Sequence, residues 1–200
     1  MAELTIRPDS EDLGIKNNIQ SFRSSLNGFR QFGELPGSIW ILAMTWTNRY
    51  NATDNQLQAN RLKAFLTSLN GPTGTFTYTP TEAQTRQGTG LGSGVMNGAN
   101  QQGESLVTDG WTINQTDLLK AGDYIEVNQE LKMVVEDVAS DGSGNATIKI
   151  RPAIRKPPAD GAQIIVDQPK GVFRMNASTQ GWALTAPEFY AFSANFSEVI

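Results

Sequence analysis

Carboxylates are the densest group of side chains in this sequence that could carry out chemistry. They lie at Glu126, Glu130, Glu136, Asp137 and Asp141. A glycoside hydrolase needs two such groups on opposite sides of the bond that it cleaves. However, Glu136 and Asp137 are neighbours in a predicted strand, so their side chains point to opposite faces and cannot act on one bond. The pattern therefore favours solvated strand faces and turns.

Two residue types that often carry catalysis are missing from the chain, which has no histidine and no cysteine. Histidine is the usual general base and the commonest transition-metal ligand. Cysteine supplies thiolate nucleophiles, disulfides and zinc or iron–sulfur ligands. The sequence therefore excludes Ser-His-Asp hydrolysis, histidine-based zinc chemistry and thiol chemistry. We expect no cofactor, no metal ion and no catalytic residues.

A calcium loop is the second chemical possibility in this region. Asp141, Ser143 and Asn145 could occupy positions one, three and five of such a loop. The template requires glycine where Ala146 stands and a bidentate glutamate where Pro152 stands. Asp141 followed by glycine instead predicts a hairpin turn.

A glycine-rich segment offers a third possibility, a phosphate-binding loop. Glycines at positions 88, 90, 92 and 94 form the pattern G-x-G-x-G. A phosphate loop needs different spacing, and it needs a helix whose N-terminus holds the phosphate. No helix is predicted after this segment. We therefore expect residues 84–103 to form a glycine-rich linker.

The tryptophans could stack on sugars or anchor an interface. Trp40 and Trp46 share one face of a predicted strand, which favours packing in the core. Trp111 follows the Asp109-Gly110 turn signal, where core packing and surface contact are equally compatible with the sequence. It is therefore the one candidate residue for contact with a carbohydrate or a protein partner.

The elements that position these residues are mainly strands. The segment "SIWILAMTWTN" at residues 38–48 is apolar on both faces, which predicts a strand buried from both sides. One helix is predicted over residues 54–70, capped by Thr53 or Asp54 and ended by Gly71-Pro72. Its predicted core face consists of Leu62, Phe65, Leu66 and Leu69. Short strands between residues 105 and 166 predict a small barrel of five or six strands.

These elements predict a mainly β chain with two parts. Residues 1–82 and 169–200 would form one β domain with the helix, and residues 83–168 would form the inserted barrel. The inserted part holds 7 of the 16 basic and 11 of the 20 acidic residues. This acidity argues against a nucleic-acid surface there, because phosphate binding needs a basic patch. No apolar run is long enough to cross a bilayer, and the polar N-terminus predicts no signal peptide.

Several segments, taken in their order along residues 35–200, resemble the distal tail proteins of long-tailed, siphovirus-type bacteriophages, which are adaptors of the tail tip. The segments are "LPGSIW", "LTSLNGPTGTFTYTP", "NGANQQGESLVTDGW", "LLKAGDYIEVNQELKMVVEDVASDGSGNATIKIRPAIRKPPADGAQIIV" and "FSANFSEVI". The chain departs from the family at Gly71-Pro72, where a Gly-Arg turn is expected. That departure leaves a neighbouring tip component as an alternative to the distal-tail ring.

The resemblance implies a tail-tube-like β-sandwich with one α-helix, interrupted by a small β-barrel of the oligonucleotide/oligosaccharide-binding (OB) type. It also implies a homo-oligomeric ring, hexameric in the family, between the tail-tube protein and the tip hub protein. Tape-measure and receptor-binding proteins are further partners that it implies. The protein would be made in the cytoplasm of the host bacterium and located in the virion, at the phage tail tip.

Three functions follow as hypotheses. The first is a structural protein of the tail tip or baseplate, which forms a ring and supports host attachment. The second is a carbohydrate-binding module whose barrel contacts host-surface polysaccharide through Trp111. The third is a glycosidase that depends on carboxylates alone.

Overall fold

A computed structural model describes residues 2–50, 58–185 and 189–199. In these ranges the chain forms strands, one α-helix (α1) and two short 3-10 helices, Gly71–Thr73 and Thr81–Gln84. The elements in chain order are β1 Ala2–Glu3, β2 Ser10–Lys16, β3 Ile19–Arg23, β4 Arg30–Glu34, β5 Ile39–Arg49, α1 Ala59–Ser68, β6 Thr75–Tyr78, β7 Gly92–Met96, β8 Gly103–Trp111, β9 Tyr124–Val127, β10 Glu130–Val134, β11 Ala146–Ile154, β12 Ile164–Ile165, β13 Gly171–Met175, β14 Trp182–Thr185 and β15 Phe189–Glu198.

The two ends of the chain build one seven-stranded sheet. Its order is β1-β6-β13-β15-β5-β2, and β14 pairs with β15 beside that path. All pairs are antiparallel except β1 with β6. The long strands β5 and β15 pair over most of their length, with Leu42 opposite Phe196. They form the centre on which the shorter strands are arranged.

One face of this sheet carries the core. Trp40, Leu42, Met44 and Trp46 alternate along β5 and are buried, as the shared face of the two tryptophans predicted. The prediction that β5 is buried from both sides is wrong, because Ile41 on the opposite face is exposed. Ile39, Ala43 and Thr45 on the same face are half-buried, so this face is partly open to solvent and does not form a second core.

The helix packs on the buried face of the sheet. Leu62, Leu66 and Leu69 are buried and Phe65 is partly buried, which confirms the predicted core face. The helix begins at Ala59, because Gln58 is extended and bridges to Tyr50, so the prediction of helix at residue 58 is wrong. The first four residues of the predicted helix, 54–57, lie outside the described residues. The predicted caps Thr53 and Asp54 lie outside the described residues. At the other end, the chain turns through left-handed conformations at residues 70 and 71, as the Gly-Pro signal predicted.

The second sheet is a nearly closed barrel of six strands, in the order β12-β9-β10-β11-β8-β7. Its two ends approach each other through a bridge between Val95 and Gln163. Alternating apolar residues fill the interior, among them the predicted set Ala146, Ile148 and Ile150. The prediction of a linker over residues 84–103 is wrong in part, since β7 lies within it and forms one wall of the barrel.

The barrel is inserted into the sheet domain. Strands β6 and β13 are direct neighbours, with Phe76 opposite Phe173, although the whole barrel lies between them in the chain. The two parts share a core, because Tyr124 and Leu131 of the barrel pack in the same cluster as Trp40. The predicted fold class is thus confirmed: a mainly β chain with one helix, a large sheet domain and a small inserted barrel.

Candidate functional site

The most exposed apolar surface of the described chain is a hairpin formed by β3 and β4, residues 19–34, which we call the N-terminal hairpin. Its strands pair with each other and with no other strand of the described residues. Leu26 at its tip is 97% exposed and Phe29 is 73% exposed. The other exposed apolar side chains along it are Ile19, Phe22 and Phe32. An isolated hairpin of this kind is at best marginally stable in water, so its apolar surface is typical of a segment that is covered in an assembly.

Local hydrogen bonds shape the tip of the N-terminal hairpin. The backbone N–H of Ser24 donates to the carbonyl oxygen of Phe29, and that of Gly28 donates to Ser24. Gly28 has a φ of 70°, which is the left-handed conformation that glycine adopts at little cost. The Asn27 side chain accepts from the N–H of Phe29. The turn therefore presents Leu26 and Phe29 outward.

The base of the hairpin is fixed to the body of the protein. The N–H of Leu35 donates to the carbonyl of Asn18, and the Asn18 side chain donates to the carbonyl of Pro36. Arg151 of the barrel forms ion pairs with Glu34 at the end of β4 and with Glu104 of β8. Hydrogen bonds between its two connecting segments therefore close the hairpin at its base, and the barrel contacts it at Glu34.

The large sheet has open edges of different character. Strand β2 has one neighbour and carries polar and charged residues between its apolar ones. Among the described strands, β14 pairs with β15 alone, and its Trp182 and Leu184 are exposed. The ammonium of Lys63 lies 3.4 Å from the ring centroid of Tyr190 and 5.5 Å from that of Trp182. Open edges are templates for pairing with another chain.

Trp111, the candidate residue for carbohydrate contact, lies in the core of the barrel. It is 4% exposed, and its indole N–H donates to the hydroxyl of Thr108. One face of the indole packs on Gly94 of β7. A buried ring whose N–H is already bonded cannot stack on a sugar, so this placement corrects the expectation of a surface contact.

The packing of Gly94 on Trp111 leads to the first prediction. A Cβ atom at position 94 would overlap the indole ring. We expect Gly94→Ala to lower the free energy of unfolding by about 2 kcal/mol, because an overpacked core forces side chains from their preferred positions. Urea denaturation would measure the change. The matched control is Gly181→Ala, since no atom lies within 4 Å of its added Cβ. Equal stability of the two variants would contradict the prediction.

The five clustered carboxylates are separated in the structure, each with its own partner. Glu136 pairs with Lys149 and Asp137 with Lys120. Both acids lie beyond the end of β10, so the prediction that they share a strand is wrong, although they still contact different partners. Glu126 accepts the N–H of Lys170 at 2.9 Å.

Asp141 organises the predicted turn before β11. Its carboxylate accepts the side-chain N–H of Asn145 and the backbone N–H groups of Ser143 and Asn145. These bonds, with the Asn145 side chain first, hold the pKa of Asp141 below its usual value. The residue thus acts in turn formation, as the Asp-Gly pattern predicted.

The glycine-rich segment does surround an anionic group, but the group is a side chain of the protein itself. Asp123 is buried and accepts the backbone N–H groups of Gln87, Gly88 and Lys120. Gly88 also packs so closely on Leu118 that a Cβ would meet its carbonyl oxygen at 2.6 Å. The glycines therefore serve close approach of two loops. No sequence pattern pointed to Asp123, since two of its three backbone partners lie 36 and 35 residues away.

Four buried charges lie where the barrel meets the sheet domain, and we call them the junction cluster. They are Glu130 and Lys132 of β10, Arg155 after β11 and Glu198 of β15, with side chains at most 7% exposed. Lys132 lies 2.6 Å from Glu130, and Arg155 lies 2.7 Å from Glu198. Buried charges are tolerated only when they are paired and hydrogen-bonded.

Backbone groups complete the junction cluster. The carboxylate of Glu198 accepts the N–H groups of Leu131 and Trp40, at 3.2 and 3.5 Å. The indole N–H of Trp40 donates to the carbonyl of Leu131 at 2.8 Å. The Glu198 carboxylate thus binds both β5, the neighbouring strand in its own sheet, and strand β10 of the barrel. These bonds fix the orientation of the barrel on the sheet.

Burial shifts the pKa values of the junction cluster. Burial raises the pKa of Glu198 and lowers that of Lys132, since water no longer stabilises either charge. Burial would raise the pKa of Glu130 too, but Lys132 and the backbone N–H of Lys156 outweigh it, so that pKa is lowered. The cluster thus combines the cost of desolvation with strong mutual attraction.

Among the residues that the structure describes, no group of three or more acidic side chains could hold a metal ion. Within the same ranges, no helix is long and apolar enough to cross a membrane.

No protein-family model matches the chain, and no curated protein matches it in sequence.

Proposed function

We propose that this chain is a structural subunit of a phage tail tip or baseplate, which forms a homo-oligomeric ring between the tail tube and the tip hub and supports host attachment. The observation that carries the proposal is the exposed, apolar N-terminal hairpin. The resemblance of several segments, in their order, to distal tail proteins is the reason for proposing the tail tip as the location of the ring. The alternative to the distal-tail ring is another protein component of the same tail tip.

The partner of the N-terminal hairpin in this proposal is a second copy of the same chain. Its tip exposes Leu26 and Phe29, and no other described strand lies beside β3 or β4. Apolar surface of this kind favours association, since covering it removes it from water. A protruding hairpin can reach a neighbour that the compact body cannot.

The open edges of the large sheet support a ring rather than a closed pair. Strand β2 at one edge is polar and charged, whereas β14 at another exposes Trp182 and Leu184. A two-fold dimer would use one self-complementary patch, whereas unlike surfaces join head to tail and close into a ring when the rotation permits. Two unlike edges and a hairpin that extends from the body fit the second geometry.

The junction cluster supports a barrel of fixed orientation in such a ring. A barrel tethered by flexible linkers would take many orientations, but Glu198 binds strand β10 and Arg155 of the barrel directly. Each barrel would therefore lie at the same angle in every subunit. A regular set of barrels is suited to docking receptor-binding proteins.

The location of the protein in the virion tests the proposal. We expect electron microscopy of tails, labelled with antibody against this chain, to show label at one end of the tail only. Light scattering of the purified protein, with and without tail-tube protein, would measure the number of subunits in the ring. Label along the whole tube, or its absence from the virion, would refute the tip assignment.

The carbohydrate-binding alternative is not supported by the placement of Trp111. Its indole is enclosed in the barrel. The sequence predicted no other aromatic residue for contact with a carbohydrate.

A further inference from the structure

The N-terminal hairpin leaves the sheet domain between β2 and β5, but one of its contacts is with the barrel. Glu34, at the end of β4, forms an ion pair with Arg151 of β11. Arg151 also lies 2.6 Å from Glu104 of β8, so two carboxylates share one guanidinium. This contact links residues more than a hundred positions apart, from the hairpin and from the barrel.

The contact lies on one particular face of the hairpin. Ile19 is opposite Glu34 and Ser21 is opposite Phe32, so these four side chains share a face. Ile19, Phe32, Glu34 and Arg151 line a groove of about 500 Å³ together with Ile15 of β2. Phe22 lies on the other face of the hairpin, away from this groove. The ion pair thus lies on the face of the hairpin that turns toward the body.

The barrel residue that makes this contact is itself fixed in position. Arg151 is opposite Met133 of β10, the strand that carries Lys132 and Leu131 at the junction with the sheet. Lys132 also donates to the carbonyl of Ala153 on β11. The junction cluster and Arg151 therefore belong to adjacent, hydrogen-bonded strands, and Arg151 extends from a rigid support.

From these contacts we infer that Arg151 is a positioning residue for the N-terminal hairpin, and that the inserted barrel orients this hairpin for contact with the neighbouring copy. The barrel would then have two roles: it would orient the N-terminal hairpin for ring assembly, and it would dock receptor-binding proteins. The inference rests on the proposed ring for its functional meaning, but the orientation of the hairpin can be measured in the single chain.

The test uses the absence of cysteine from the sequence, which allows clean labelling at two introduced positions. Ser25→Cys at the hairpin tip and Val107→Cys on the barrel carry spin labels, and both positions are exposed. Pulsed electron paramagnetic resonance then gives the distribution of distances between the two labels. In the otherwise unchanged full-length chain we expect one narrow distribution.

The variant Arg151→Glu replaces attraction to Glu34 by repulsion. We expect the distance distribution to broaden and the ratio of the original orientation to all other orientations to fall by up to about fivefold, the upper range for an exposed ion pair. The charge swap, Arg151→Glu with Glu34→Arg, is expected to restore the narrow distribution. The control Glu104→Gln keeps the contact with Glu34 and is expected to leave the distribution narrow.

An unchanged distribution in Arg151→Glu would overturn the inference, and so would broadening that the charge swap does not reverse. Ring formation is measured separately, on unlabelled chains. Failure of the wild-type chain to form rings would refute the proposed function while leaving the measured effect of Arg151 intact. Rings that form normally beside an unchanged distribution would refute the inference alone.

Discussion

The double variant Leu26→Ser and Phe29→Ser is expected to prevent ring formation while leaving the single chain folded. Leu26 and Phe29 are the most exposed large apolar residues of the described chain, so the folded subunit gains little from them. In the ring they would be covered, and burial of each such side chain contributes roughly 2 kcal/mol. Losing both would reduce the association constant between subunits by nearly a thousandfold, at about 1.4 kcal/mol for each factor of ten.

Light scattering and incorporation into tails would measure this loss, and circular dichroism would verify that the chain remains folded. The matched control is the pair Val107→Ser and Ile113→Ser, which removes two exposed apolar residues from the barrel instead. The control is expected to assemble like the wild type. Normal assembly of the hairpin variant would contradict the prediction that Leu26 and Phe29 form the contact between subunits.

The variant Glu198→Ala is expected to lower the free energy of unfolding by about 3 to 5 kcal/mol, because removing one member of a buried ion cluster leaves the remaining charges without compensation. Arg155 would lose its 2.7 Å partner while remaining buried. The backbone N–H groups of Leu131 and Trp40 would lose their acceptor as well. Urea denaturation would give the free energy.

Two further variants make this result specific. Glu198→Gln keeps the size of the side chain and one oxygen acceptor, so an intermediate loss is expected. Glu136→Ala removes a carboxylate whose partner Lys149 is more than half exposed, and we expect little change there. If Glu198→Ala and Glu136→Ala gave equal, small losses, the junction cluster would not hold the barrel to the sheet.

Some of these features could be predicted from the sequence because they depend on neighbours in the chain. Leu62, Leu66 and Leu69 recur at the helical period, and their burial was predicted correctly. Alternation over Ala146, Ile148 and Ile150 predicted a barrel strand in the same way. Local periodicity reveals which side of an element is apolar, and the apolar side is normally the buried one.

Other features were missed because glycine and lysine can serve several roles. The sequence predicts a linker where strand β7 lies, since glycines at positions 92 and 94 hide any alternation. Only the structure reveals that Trp111 fills the space that Gly94 leaves. Lys132 is fully buried, although a lysine in a strand normally points to solvent. Its burial depends on Glu130 and Glu198, and Glu198 lies far away in the sequence.

The carboxylates show the same division. The sequence by itself determined that Asp141 starts a turn and that histidine and thiol chemistry are excluded, because composition and adjacent residues decide both. Only the tertiary structure decided that Glu130 and Glu198 join the barrel to the sheet, that Asp123 holds the glycine-rich segment, and that the N-terminal hairpin is exposed. The physical reason is that periodicity describes one element at a time, whereas these contacts depend on which distant elements pack together.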